Sequence, residues 1–122
     1  MIVADTSIWI DHLRSSNPHM KMLLNDVAIL QHRFIVSELA VGNLPDRDNT
    51  LSMLLGMRCV PIVSESEFYQ FMEREPLAGT GLGFVDINLL ASLARYPGVR
   101  LWTKDKRLNE HAVRMRFSYY VD

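Results

Sequence analysis

Four acidic residues occupy positions where a carboxylate is costly unless it has a function. Asp5 directly follows a short apolar run, and Asp105 lies one residue beyond a second one. Glu38 and Asp86 each fall on the apolar stripe of a predicted helix. Carboxylates in such places repel one another and lose hydration unless a cation holds them. We therefore predict that the four form a site for a hard divalent metal ion, and that at least one of their pKa values is raised when no metal is bound.

The ligand type indicates which metal and which chemistry to expect. Carboxylate oxygens suit Mg²⁺ or Mn²⁺ rather than zinc. Mg²⁺ bound by carboxylates keeps several waters, one of which can be activated to attack a phosphodiester without a covalent enzyme intermediate. The hydroxyls of Ser7 and Thr103 either hold such a water or cap helices. No zinc-type spacing is seen among the histidines, which we interpret as surface or packing residues: His12, His19, His32 and His111.

Each acidic residue also has a purely structural interpretation. Asp5 could form a strand-to-helix turn, and Asp105 could cap the helix that follows it. Asp86 lies in the first turn of its helix, where the dipole favours an aspartate. Glu38 could be a buried glutamate that stays protonated or pairs with an arginine. These interpretations weaken together, because each would have to place its carboxylate at the same end of one small sheet by accident.

Strands that alternate with helices predict a parallel sheet covered by helices on both faces. The predicted strands are Met1–Ala4, Val27–Leu30, Arg58–Val63, Arg100–Thr103 and Phe117–Val121. Helices are predicted between them, over residues 7–14, 19–24, 34–42, 48–56, 65–75, 84–96 and 106–115. Ligands of such sheets bind beyond the carboxyl ends of the strands, which is where Asp5 and Asp105 are placed.

Composition limits the class of protein. A chain of 122 residues with 48% apolar and 22% charged side chains predicts one globular domain. No apolar run approaches the roughly 20 residues of a membrane span, and the short apolar stretch before Asp5 predicts no secretory signal. Cys59 is the only cysteine, which excludes an intrachain disulfide and favours a cytoplasmic location.

The charge is unevenly distributed along the chain. Residues 95–116 carry seven basic and two acidic side chains, whereas residues 1–94 carry six and eleven. The basic block is compatible with a phosphate-bearing partner, or with solvated helix faces whose cations lie near helix C-termini. The glycine-rich segment 79–83 either cradles a phosphate or connects two elements, and it lacks the Lys-Ser/Thr of a P-loop.

Four segments resemble, in the correct order, the motifs of the PIN-domain nucleases and, within them, of the VapC-type toxins of toxin–antitoxin pairs. The order of the motifs makes the resemblance specific, and it spans nearly the whole chain. The segments are Val3–Asp11, Ser37–Asn43, Gly81–Asp86 with Leu89–Ser92, and Leu101–Leu108.

The resemblance implies a single PIN domain over residues 1–122, with three α/β/α layers and a parallel sheet in the order 3-2-1-4-5. It also implies a Mg²⁺- or Mn²⁺-dependent endoribonuclease. Asp5 and Asp86 match the principal metal ligands. Glu38 and Asp105 match the other two acids of the site, which hold the metal directly or through water.

Partners follow from the same resemblance. Family members cleave RNA, commonly form homodimers, and are silenced by a VapB-type antitoxin, through which they also bind operator DNA. Many relatives carry a further acidic residue shortly after the fourth motif, where this chain has Asn109. We therefore expect a single metal ion at rest.

Two other functions compete with a ribonuclease. A phosphoaspartate protein would also place an aspartate after its first strand, but phosphatases of this kind need a second aspartate two positions after Asp5, where Ser7 stands. A non-catalytic module with the same fold would bind RNA or a partner without turnover. Such a module gains nothing from four crowded carboxylates, and we therefore favour the enzyme.

Overall fold

The computed structural model describes residues 1–121, in which seven helices surround a short parallel sheet. In chain order the elements are β1 (Ile2–Ala4), α1 (Thr6–Arg14), α2 (Pro18–Asn25), β2 (Ile29–Leu30), α3 (Arg33–Val41), α4 (Arg47–Gly56), α5 (Glu65–Arg74), α6 (Phe84–Arg95), β3 (Arg100–Trp102) and α7 (Lys106–Arg114). Every predicted helix is present with similar bounds, and the α/β fold class is confirmed.

The sheet has fewer strands than predicted. Its three parallel strands lie in the order β2-β1-β3, with Ile2 opposite Ile29 on one side and Arg100 on the other. The predicted edge strands 58–63 and 117–121 are each reduced to one isolated parallel bridge within the described residues, Cys59 to Gln31 and Ser118 to Leu101. The five chain segments nevertheless lie side by side in the predicted order 3-2-1-4-5.

The segment 58–63 pairs with only one residue after β2 because the chain of β2 turns into α3 there. The amide of Gln31 donates to the Arg58 carbonyl at 2.8 Å, and the amide of Val60 donates back to the Gln31 carbonyl at 2.9 Å. His32 then caps α3, so the chain turns away and leaves the following residues without a strand to pair with. Pro61, which has no amide hydrogen, cannot extend the ladder.

Helix α6 is the most deeply buried helix of the described chain. Its run Ile87–Leu93 is buried throughout and is apolar except for Asn88 and Ser92. Helix α5 packs against it and begins with the predicted capping box, in which Ser64 and Glu67 exchange side-chain and backbone hydrogen bonds. Among residues 1–121, no helix is both long and apolar enough to cross a membrane.

Candidate active site

All four acidic residues singled out from the sequence line one cavity of about 510 Å³. We call it the acid cavity. Its lining is formed by Asp5, Thr6, Ser7, Ile10, Glu38, Asp86, Lys104 and Asp105. The cavity lies where β1 and β3 end and their chains turn into α1 and α7, which is the edge of a parallel sheet where ligands bind.

Asp5 is held in place through both its backbone and its side chain. Its amide donates to the Trp102 carbonyl at 2.8 Å, which continues the pairing of β1 with β3 by one residue. Its carboxylate accepts a hydrogen bond from the Thr6 amide at 2.7 Å and another from the Thr103 hydroxyl at 2.7 Å. The side chain is therefore both an N-cap of α1 and an oriented, buried carboxylate of the cavity.

Asp86 and Asp105 also combine a capping role with a place in the cavity. Asp86 accepts a hydrogen bond from the Gly83 amide at 3.3 Å, and Asp105 accepts one from the Leu108 amide at 3.0 Å. Each uses one carboxylate oxygen in this way, and within the described chain the other oxygen accepts no hydrogen bond. The structural interpretation and the functional one are thus compatible for both residues.

Glu38 differs from its prediction as a residue of the apolar stripe. The buried face of α3 is formed by Ile35, Val36 and Leu39, and Glu38 is exposed at the edge of that face. It accepts a hydrogen bond from the Thr6 hydroxyl at 2.6 Å, which directs the carboxylate toward the start of α1. Asp105 is likewise exposed, so only Asp5 is fully buried among the four.

The surroundings raise the pKa of two of the four carboxyl groups. For Asp5, burial raises the pKa most, the hydrogen bonds from Thr103 and Thr6 lower it, and the charges of Glu38 and Asp105 raise it further. For Asp86, burial again raises the pKa most, the Gly83 amide lowers it, and the other three carboxylates raise it. The predicted rise is present, but loss of hydration contributes more to it than mutual repulsion does.

The acid cavity fits a hard cation in its donor chemistry. Within residues 1–121, none of the four carboxylates forms an ion pair with a basic side chain. Lys104 lines the cavity, but it pairs with Asp11 instead. No three His, Cys, Asp or Glu side chains of the described chain are gathered closely enough to hold an ion as they stand. The carboxylates therefore share a cavity, and their role as ligands stays a prediction.

Two residues of this region were not singled out as functional from the sequence. Thr6 connects Asp5 with Glu38, and Lys104 adds a cation to the cavity wall. The signal that could have identified Thr6 and Lys104 from the sequence is that they directly adjoin Asp5 and Asp105. Ser7 lines the cavity with a buried hydroxyl that has no hydrogen-bond partner among the described residues. The four histidines lie outside the cavity lining.

Comparison with known proteins decides the family. The chain is 44% identical over 108 residues to Ribonuclease VapC32 of Mycobacterium tuberculosis (strain CDC 1551 / Oshkosh), an alignment that covers 88% of this chain and 87% of the relative. The protein of the same name from strain ATCC 25618 / H37Rv matches equally well. This chain belongs to the VapC family. The resemblance seen in the four motifs of this VapC chain is thereby confirmed, although no family model matches it.

Proposed function

We propose that this VapC protein is the toxin of a toxin–antitoxin pair and a Mg²⁺- or Mn²⁺-dependent endoribonuclease. The observation that carries the proposal is the acid cavity, where four carboxylates without cationic partners in residues 1–121 line one space. Its relatives are named ribonucleases, which supports RNA as the substrate. A solely structural role would not account for so much uncompensated negative charge in one cavity.

The residues of the cavity have distinct roles in this proposal. Asp5 and Asp86 hold the metal ion, and Glu38 and Asp105 hold it directly or through water. A bound Mg²⁺ or Mn²⁺ supplies Lewis-acid stabilisation of phosphate charge and lowers the pKa of water. Thr103 is a positioning residue, because its hydroxyl donates to Asp5 and accepts from the Asp105 amide at 3.0 Å.

One metal ion is the expected resting content. Asn109 stands where many relatives carry a further acid, and its side-chain oxygen accepts a hydrogen bond from the Ser118 hydroxyl at 2.8 Å. It does not contribute to the lining of the acid cavity. An amide that is engaged elsewhere cannot replace a carboxylate ligand, so the four cavity acids have to hold the ion alone.

Regulation completes the proposal. We propose a VapB-type antitoxin as the inhibitory partner, a homodimer as the assembled state, a cytoplasmic location, and contact with operator DNA through the antitoxin only. An uncompensated acid cavity suits inhibition by a basic side chain of the antitoxin, because such a group would neutralise the carboxylates in place of the metal.

Cleavage of a labelled RNA tests the proposed activity. The wild-type chain should cleave with Mg²⁺ or Mn²⁺ and lose activity in EDTA, and Asp5→Ala or Asp86→Ala should abolish it. Asp26→Ala is the matched control, because this carboxylate is exposed and lies outside the acid cavity. Cleavage that persists in EDTA, or that survives both alanine substitutions, would contradict the proposal. Binding of RNA without turnover under every metal condition would favour the non-catalytic module instead.

A further inference from the structure

A second cavity of about 380 Å³ adjoins the acid cavity and shares Asp86 and Asp105 with it. We call it the basic cavity, and its other lining residues are Gly81, Leu82, Lys106 and Arg107. We infer that the basic cavity binds an RNA phosphate next to the bond to be cleaved, with Arg107 and Lys106 as its ligands. The inference rests on the proposed function, because it concerns the RNA on which the acid cavity would act.

The guanidinium group of Arg107 lies against Gly81 at the wall of this cavity. A Cβ at Gly81 would overlap Nη1 of Arg107 and lie 3.1 Å from its Cζ. Gly81 also has a φ of +87°, in the left-handed region that side chains other than glycine rarely adopt. The positive φ favours glycine here, and the guanidinium group, as the end of a flexible side chain, would have to shift to make room for a Cβ.

The two cations of the basic cavity have no anionic partner in the described part of the chain. Neither Lys106 nor Arg107 forms an ion pair there, although Asp86 and Asp105 line the same cavity. Their donors are available to an incoming anion. A guanidinium group presents planar paired donors that match a phosphate, and a lysine adds a compact charge.

The position of these cations is unfavourable for the helix that carries them. Lys106 and Arg107 occupy the first turn of α7, which has no acidic residue within its helical bounds there. The helix dipole disfavours cations at this end and favours anions. The N-cap carboxylate of Asp105 supplies an anion at this helix end, but two consecutive cations follow it, and a bound phosphate would compensate them.

The glycine-rich loop contributes through its shape rather than its amides. The Thr80 amide donates to the Leu77 carbonyl at 3.3 Å, and the Gly83 amide donates to Asp86 at 3.3 Å. These two amides are thus engaged within the chain, and the segment also lacks the Lys-Ser/Thr of a P-loop. The loop instead brings Gly81 against Arg107, and the phosphate ligands are side chains.

The charge of the neighbouring site explains why such a cavity is needed. Four carboxylates repel a polyanion, so binding energy for RNA has to come from cations close to them. The basic cavity shares two of its lining residues with the acid cavity. A phosphate bound there would therefore belong to the same RNA strand as the bond to be cleaved. Arg107 and Lys106 would thereby fix the register of the strand, without determining its sequence.

Fluorescence anisotropy with a labelled single-stranded RNA tests the inference. Measured in EDTA between about 50 and 200 mM salt, Arg107→Ala should bind about tenfold more weakly at the low end and show a log–log salt slope shallower by about 0.7. Arg58→Ala is the charge-matched control, because Arg58 lies beside β2 and lines neither cavity. Arg107 is exposed, so its loss should leave the melting temperature unchanged.

A pair of glycine variants tests the geometry without removing charge. Gly81→Ala should displace the guanidinium group and weaken RNA binding, by less than Arg107→Ala does because the shifted side chain keeps its charge. Gly79→Ala imposes the same kind of backbone strain at a φ of +75°, but a Cβ there meets no atom of residues 1–121 within 4 Å, so this variant should bind RNA normally.

Several results would overturn the inference. They are an unchanged salt slope in Arg107→Ala, equal RNA binding by the two glycine variants, or no RNA binding by the wild type. An acidic peptide bound as tightly as RNA through Arg107 would assign the cavity to a protein segment instead. The binding assay does not depend on cleavage. RNA binding through Arg107 together with no turnover after metal is added would therefore refute the proposed function and leave the phosphate site of the basic cavity standing.

Discussion

Acidification should destabilise the protein through His32, the N-cap of the helix that carries Glu38. The Nδ1 atom of this buried histidine accepts a hydrogen bond from the Phe34 amide at 3.2 Å, which caps α3. The proton must then sit on Nε2, which donates to the Ser92 hydroxyl at 3.0 Å. A protonated ring could not accept the capping bond, so this arrangement requires neutral histidine.

Burial lowers the pKa of His32 from 6.5 to about 4. Between these values the unfolded chain binds a proton that the folded chain does not, so the free energy of unfolding falls as pH falls. The free energy of unfolding is unaffected by this titration above about pH 6.5 and is reduced by about 3 kcal/mol once the pH has fallen to about 4. Asp5 and Asp86 act in the opposite direction, since their raised pKa values favour the folded state in acid.

Urea unfolding in EDTA at stepped pH measures the effect, with His32→Asn as the comparison. Asparagine retains an oxygen that can cap α3, but it does not titrate. The wild type should be the more stable protein at about pH 7, and its advantage should shrink by about 3 kcal/mol by about pH 4. Asp5 and Asp86 titrate in both proteins, so their contribution cancels in the difference. A difference that stays constant with pH would refute the reasoning.

Three further predictions concern the acid cavity and the core beneath it. Asp86→Asn should leave the metal-free protein equally or more stable at neutral pH by thermal unfolding, because burial makes the charged form of this carboxyl unfavourable; a clear loss would indicate a structural role. Thr103→Val should move the acidic limb of the cleavage–pH profile to higher pH, because it removes a hydrogen bond that lowers the pKa of Asp5. Thr103→Ser keeps the hydroxyl and should leave the limb in place. Identical profiles for Thr103→Val and the wild type would count against this prediction. Leu90→Ala should cost about 2–5 kcal/mol of unfolding free energy in denaturant, and exposed Leu55→Ala well under 1 kcal/mol.

The helices of this fold could be predicted from local signals, and the edges of the sheet could not. Apolar spacing, capping residues and Pro97-Gly98 mark the helices within the chain itself. Strand ends depend instead on the neighbouring segment. The segment after Arg58 has the composition of a strand, but β2 ends beside it because His32 caps α3, which begins at the next residue.

The candidate site shows the same division between local and distant information. Helical spacing places Glu38 on the apolar stripe, yet the residue is exposed, because the sheet and the neighbouring helices determine which edge of α3 is covered. Contacts between side chains that are distant in sequence could not be predicted either. Nothing in the chain indicates that the Thr6 hydroxyl meets Glu38, or that Arg107 packs over Gly81, since both contacts depend on how the loops approach one another.

Binding of Mn²⁺, followed by electron paramagnetic resonance, tests most directly the claim that four carboxylates act together as one metal site. The wild-type chain should bind one Mn²⁺ ion, and Asp5→Asn and Asp86→Asn should each weaken that binding strongly while Asp26→Asn leaves it unchanged. Absence of Mn²⁺ binding by the wild type, or equal binding by all four proteins, would contradict the claim.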